Sequence, residues 1–219
     1  MDFVILDREH GPITLETLHN HVRAAQAGGC AAIGRVPELS AHAIGAALDS
    51  GAAGVQVPGV TSATAAQRAV DAARFHPHGS RGVCRFVRAA SYGHQDKATY
   101  FQTENQKLLI LQVEGREGVE DLDAILAVPG FEVLFIGPYD LSQSVGKPGE
   151  IDAPEVQSLI QKIAERVHDS GRTLGVFTDQ SDQIAELEHL GFRYIAYSVD
   201  VHIYSSALRD LTPDARNHQ

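Results

Sequence analysis

Short apolar runs rich in branched side chains alternate along the chain with longer segments whose apolar positions recur at helical spacing. The runs fall at residues 3–6, 31–34, 54–57, 108–113, 132–136, 173–177 and 194–197. They lack polar alternation, so each is expected to be a strand buried on both faces. Between them, Leu15, Leu18, Val22 and Ala25 follow a cap at Thr14, Ser40 caps a segment through Ala47 and Leu48, and residues 62–74 form a third helix. Val119, Leu122, Ile125 and Leu126 make a fourth apolar stripe. Val156, Leu159, Ile160, Ile163 and Val167 make a fifth that ends near Gly171, and Ile184, Leu187 and Leu190 a sixth closed by Gly191. All these stripes are expected to face the core.

Strand and helix in strict alternation predict a parallel sheet wrapped by helices. Seven strands is one short of an eight-stranded (β/α)8 barrel, and the first begins almost at Met1. A doubly wound open sheet is the other architecture of this pattern, but it usually carries a glycine-rich phosphate turn after an early strand. Neither GxGxxG nor a P-loop occurs, which favours the barrel, as a single domain over residues 1–219. The one long irregular segment, residues 76–106, contains HPHGSRGV, Tyr92, Tyr100 and Phe101. A loop of that length is either functional or carries a short helix of its own.

Composition narrows the function classes. With 219 residues, 43% hydrophobic and 21% charged, the chain can bury a sizeable core and is not a disordered or fibrous protein. Eighteen Lys and Arg against 28 Asp and Glu give a net charge of -10, and no basic run breaks that balance, so nucleic acid is not an expected partner. Cys30 and Cys84 lie far apart without zinc-ligand spacing and are expected to be buried, reduced thiols. No apolar segment approaches the roughly 20 residues of a membrane span, and MDFVILD is no cleavable leader, so a cytoplasmic location is expected.

In a parallel barrel the active site lies where the strands end, so the residues that follow each run carry the chemistry. They are Asp7, Glu9 and His10, then Arg35, then Gln112 with Glu114, then Asp140 in the turn GPYD. Glu114 and Asp140 end sequential strands, about 4.8 Å apart in a parallel sheet, so their carboxylates can converge. Two carboxylates without Cys or clustered His suit a hard or borderline divalent ion that keeps open positions for substrate oxygens and water. The simpler alternative is two strand-end carboxylates that accept backbone hydrogen bonds. His10 lies three residues after Asp7, near enough for that carboxylate to hold one imidazole nitrogen and raise the basicity of the other. Arg35 offers a planar fork to an oxyanion, or to a structural carboxylate. Lys97, Lys107, Lys147 and Lys162 lie in loops, before a strand or on a helix, which argues against Schiff-base chemistry.

The strings ILDREHGP, AIGRVP, GVQVP, SRGV, LILQVEGREGVEDLDAILAVPG and VLFIGPYDLSQSVGKPG resemble the HpcH/HpaI family of metal-dependent class II pyruvate aldolases, from about residue 3 to about residue 210. The resemblance implies a homo-oligomeric barrel, a hexamer or trimer, that cleaves or forms 4-hydroxy-2-oxo acids through a pyruvate enolate and an aldehyde. It implies Glu114 and Asp140 as ligands of a divalent metal, Mg2+ or Mn2+ first, with Co2+, Ni2+ or Zn2+ as further fits. His10 with Asp7 matches the proton-transfer pair, Arg35 the enolate-binding arginine, and Gln112 a pyruvate contact. Gly137, Pro138 and Tyr139, with Asp140, match the backbone that receives the pyruvate carboxylate. Two departures stand out. The family carries a further strand and helix upstream, so the chain is expected to lack them, with two sheet edges left unpaired. IAYSVDV replaces a glycine-containing strand end, so Tyr197 and Ser198 are expected to reshape the aldehyde side. Relatives that condense an acyl thioester with an oxo acid to make citrate, and a non-catalytic oxo-acid-binding subunit, are the rival functions.

Overall fold

In the computed structural model, which describes residues 1–211, all seven runs are strands: β1 (Phe3–Asp7), β2 (Ala31–Arg35), β3 (Gly54–Val57), β4 (Leu108–Val113), β5 (Val133–Ile136), β6 (Thr173–Thr178) and β7 (Phe192–Tyr197). They form one parallel sheet in the order β1 to β7. The sheet curls until its margins meet through side chains: Phe3 on β1 stacks on Tyr194 of β7 with ring centroids 4.4 Å apart. No backbone pairing joins those two strands among the described residues. The architecture is therefore a curled parallel seven-stranded sheet wrapped by helices.

Burial on both faces holds for β3, β4 and β5 but not at the margins, where β1 is half-buried throughout and β7 alternates. Among the described residues each marginal strand has a backbone neighbour on one side only, so it lacks the cover that an inner strand receives from both.

The helices start where short polar side chains cap them. Thr14 accepts the Thr17 N–H ahead of α1 (Leu15–Ala27), Ser40 that of Ala43 ahead of α2 (Ala41–Asp49), and Ser62 that of Ala65 ahead of α3 (Ala63–Ala73). The long segment carries a 3-10 stretch at Arg88–Gly93 and α4 (Lys97–Glu104), capped by Asp96. The fourth stripe is two helices, α5 (Arg116–Glu120) and α6 (Leu122–Ala127). They part at Asp121, whose carboxylate accepts the Ala63 N–H at 2.7 Å and so helps to cap α3. Then follow α7 (Pro138–Ser144), α8 (Pro154–Asp169), α9 (Ile184–His189) and α10 (Asp200–Leu211).

Two stripe positions miss the core. Leu15 is 38% and Leu190 58% exposed, since each sits at a helix end, beyond the reach of the packed middle. The thiols differ from expectation too: Cys30 is half-buried and Cys84 exposed, because Cys84 lies on the long loop outside the sheet–helix interface.

The main core lies between helices and the outer face of the sheet, where Leu18, Val22, Ile44, Leu48, Val70, Ile163 and Val167 join Val55, Val57, Leu109, Leu111, Leu134 and Ile136. A smaller cluster, Ile33, Ile110, Val133, Phe135 and Tyr194, fills the inside of the curl. Side chains alternate along a strand, so the inner set extends at period two: Phe3, Ile5 and Asp7; Ile33 and Arg35; Ile110, Gln112 and Glu114; Phe135 and Gly137; Gly175, Phe177 and Asp179. At the carboxyl ends of the strands this inner column turns from apolar to charged.

Candidate active site

Arg35, at the end of β2, is held as a fork between two acids of the β1 loop. Its Nε donates to Asp7 Oδ1 at 2.8 Å and its Nη2 to Asp7 Oδ2 at 2.7 Å, while Nη1 lies 3.0 Å from Glu9 Oε2. A guanidinium has five N–H groups, so three such contacts fix its plane and leave two donors for a ligand. Burial by itself would raise the Asp7 carboxyl. The hydrogen bonds and charge of Arg35, with the N–H groups of Glu9 and His10, outweigh that and hold it below its ordinary value. Glu9 goes the other way: burial, assisted by the nearby charge of Glu114, outweighs Arg35 and raises it.

His10 reaches the same rim, but its ring does not meet Asp7. The Asp7 carboxylate accepts the backbone N–H of His10 at 3.4 Å and gives its remaining capacity to Arg35 and Glu9. The imidazole, 68% exposed, lies nearest Glu9, with Nε2 3.9 Å from Oε1. Glu9, whose side chain is only 15% exposed, is thus a site residue that the sequence placed on the rim without a specific role. The available signal was its place between Asp7 and His10, on a loop that turns back over Arg35.

Glu114 is aimed by one exposed backbone N–H and by a chain of buried side-chain amides. Gly59 donates its N–H to Glu114 Oε1 at 2.8 Å, and Gln112 Nε2 donates to Oε2. Gln112 in turn accepts from Gln56 Nε2 at 2.6 Å, and the Tyr194 hydroxyl lies 3.5 Å from Gln56 Oε1. Gln56 and Gln112 are almost wholly buried, and the relay gives each a partner that a buried amide requires. Gln112 is therefore committed to Glu114, at the position where the family resemblance implies a pyruvate contact. Gln56 had no functional role in the sequence.

Asp140 enters from the first turn of α7, exposed to solvent. Gly137 lets that turn close on β4: a Cβ there would lie 3.0 Å from both Cβ and Oε2 of Glu114. Burial raises the Glu114 carboxyl and the charge of Asp140 raises it further, against the hydrogen bonds from Gln112 and Gly59. Two acids that repel each other at a partly dry rim are a fitting donor pair for a hard cation, which would offset both costs. Among the described residues no group of three or more His, Cys, Asp or Glu side chains is arranged to hold a metal, so the pair would leave the other positions to water and substrate. Pro138 has no N–H and Gly137 directs its own to Val113, 3.4 Å away. Among the described residues, the N–H groups of Tyr139 and Asp140 are the donors of this turn without a partner.

The β7 end differs in detail from expectation. Tyr197 is exposed, while Ser198 takes a left-handed φ of 53° and buries its Oγ without a hydrogen-bond partner among the described residues. Tyr197 therefore points its bulk to solvent and off the inner column. No helix of the described residues is long and apolar enough to cross a membrane.

Comparison with known proteins agrees with this picture. Residues 1–207 match the model of the HpcH/HpaI aldolase/citrate lyase family. The chain is similar to a hydroxypyruvate/pyruvate aldolase of Roseobacter denitrificans, 37% identical over 91% of this chain and 78% of the relative. It is also similar to the 2-keto-3-deoxy-L-rhamnonate aldolase of Escherichia coli K12, 35% identical over 94% of this chain and 78% of the relative. Among solved structures, an HpcH/HpaI aldolase/citrate lyase family protein of Burkholderia cenocepacia superposes with a TM-score of 0.92 at 32% identity, covering 98% of this chain and 86% of the other.

Proposed function

The chain belongs to the HpcH/HpaI aldolase/citrate lyase family, and from that premise we propose that it is a class II aldolase, a carbon–carbon lyase that reversibly cleaves 4-hydroxy-2-oxo acids to pyruvate, or a related 2-oxo acid, and an aldehyde. The observation that carries the reading is the convergence of one fixed guanidinium and two neighbouring carboxylates on the rim where parallel strands end. Relatives named as aldolases support it.

Glu114 and Asp140 would hold a divalent ion, Mg2+ or Mn2+ being the best match to two hard carboxylates. Such an ion, when bound, supplies Lewis-acid polarisation of the 2-oxo group. The N–H groups of Tyr139 and Asp140 receive the substrate carboxylate beside it, and Gln112 keeps Glu114 aimed. His10 takes the proton of the 4-hydroxyl; the C3–C4 bond breaks, its electron pair passes into the 2-oxo group, and the aldehyde leaves. Arg35 meets the enolate oxygen with the two N–H groups that Asp7 and Glu9 leave free. Return of the proton that His10 took, to C3 of the enolate, then yields the 2-oxo acid and restores the base. A base so placed contributes about 10² to 10⁴ in rate, and stabilisation of the developing oxyanion contributes most of the rest. The resemblance also points to a homo-oligomer, in keeping with α10, which buries none of its residues and exposes Val201, Ile203 and Tyr204.

The test is a half-reaction that needs no aldehyde: exchange of pyruvate methyl protons with deuterium in the presence of Mn2+. The wild-type protein is expected to exchange well above the metal-only background. Arg35→Lys should lose most of that rate despite keeping the charge, because an ammonium cannot reproduce the fork. Background exchange with pyruvate shown to be bound would overturn the aldolase reading.

A further inference from the structure

Beside Asp140, on the side away from Glu114, the rim carries two side chains that the mechanism above leaves unused, although the backbone N–H of one of them, Tyr139, serves the substrate carboxylate. Asp179 directly follows β6, and the period of two that places Gly175 and Phe177 inside the curl places Asp179 there as well. The Tyr139 hydroxyl donates to Asp179 Oδ2 at 3.0 Å, and the Tyr139 ring lies 6.3 Å from that of Phe177. Tyr139 precedes Asp140 in the same helical turn and is 42% exposed, so the pair lines the mouth of the site and is not packed into the core. Glu114, Asp140 and Asp179 follow three successive strands, β4, β5 and β6. Those strands pair in that order, so the Tyr139–Asp179 pair comes next along the rim after Glu114 and Asp140.

The chemistry of the pair is one-sided. The Tyr139 hydroxyl has one hydrogen, and the 3.0 Å bond to Asp179 Oδ2 commits it there. What remains of the pair's hydrogen-bonding capacity is the phenolic oxygen's lone pairs and the second Asp179 oxygen, which has no hydrogen-bond partner among the described residues. These are acceptors only, backed by negative charge. A hydroxyl can donate to them; a carboxylate meets like charge and finds no donor.

We propose that Tyr139 and Asp179 select the aldehyde partner of the reaction, favouring a neutral aldehyde that carries a hydroxyl and disfavouring one that carries a carboxylate. This rests on the aldolase reading and adds the class of its second substrate. Two cleavage substrates of equal length isolate the effect: 4,5-dihydroxy-2-oxopentanoate, which releases a hydroxyaldehyde, and 4-hydroxy-2-oxopentanedioate, which releases an aldehyde bearing a carboxylate. With Mn2+ present, the wild-type protein is expected to favour the first in kcat/KM by at least about 10-fold, the scale of one charge-assisted hydrogen bond gained or opposed.

Asp179→Asn keeps an acceptor for Tyr139 while removing the charge. It should lower kcat/KM for the dihydroxy acid and raise it for the dicarboxylate, shrinking the ratio about 10-fold or more, mainly through KM. A strap that merely holds α7 against β6 could not produce the gain. A wild-type preference for the dicarboxylate, or a ratio that Asp179→Asn leaves in place, overturns the proposal while pyruvate exchange leaves the aldolase reading intact. Absence of exchange in the wild-type protein overturns both.

Discussion

Arg35 shows how one side chain is made ready before any ligand arrives. Asp7 takes it in two parallel hydrogen bonds and Glu9 takes a third nitrogen, so little rotamer freedom is left to lose on binding. The arrangement has a pH signature. The folded Asp7 carboxyl lies below its ordinary 3.8, so its contribution to stability is complete above the unfolded value and is lost as pH falls through the folded one. The difference in unfolding free energy between wild type and Asp7→Asn, followed by urea titration, should be constant between about pH 6 and 8 and shrink below about pH 4. A difference that grows toward acid would mean the carboxyl is not held ionised. The two candidate metal ligands behave otherwise. Glu114→Ala or Asp140→Ala should lower Mn2+ affinity by 10-fold or more in calorimetry, since either change leaves the ion with a single carboxylate and water.

Among the elements, α7 illustrates how a missing side chain positions a charged one. Its N-cap Gly137 has φ -94° and ψ 94°, a conformation open to alanine, so the backbone alone does not demand glycine there. The demand comes from Glu114, 3.0 Å from where a Cβ would stand. Gly137→Ala should therefore fold and melt almost normally yet push Glu114 aside, weakening Mn2+ binding about 10-fold. Normal affinity would show that the turn has room to retreat. The break between α5 and α6 has a similar origin: Asp121 leaves helical continuity to cap α3 from across the fold. Gly175 does the same inside the curl, where a Cβ would lie 3.0 Å from the rings of Phe135 and Tyr194.

Over the whole molecule, the curl turns a sheet into a site. Tyr194 on β7 touches Phe3 on β1 and approaches Gln56 on β3, so the inside of the sheet is spanned by one aromatic side chain and a relay of amides that ends at Glu114. Gln56→Leu would replace a relay member with a side chain of similar size and leave the buried Gln112 carbonyl without its donor. The expected cost is about 1–3 kcal/mol in stability, measured by urea unfolding, together with weaker Mn2+ binding as Gln112 loses its anchor. Unchanged stability would mean that water or another donor replaces the Gln56 amide at Gln112.

Local pattern determined most of the elements. All seven strands and the helical stripes were legible because continuous apolar runs and the 3.6-residue period are written in neighbouring residues, as are the short polar caps at Thr14, Ser40 and Ser62. The same logic brought Asp7, Arg35, Glu114 and Asp140 to one rim, since residues after parallel strands share an end of the sheet. What the sequence could not carry is pairing between residues distant along the chain. That Arg35 takes Asp7 and Glu9 together, that Gln56 reaches Gln112, that Asp121 caps a helix 58 positions upstream and that Tyr139 meets Asp179 depend on where the curl brings each side chain. The half-exposed β1 and the exposed Cys84 belong to the same class. Burial of an edge strand or a loop is decided by what packs across it, and that neighbour is supplied by the tertiary fold alone.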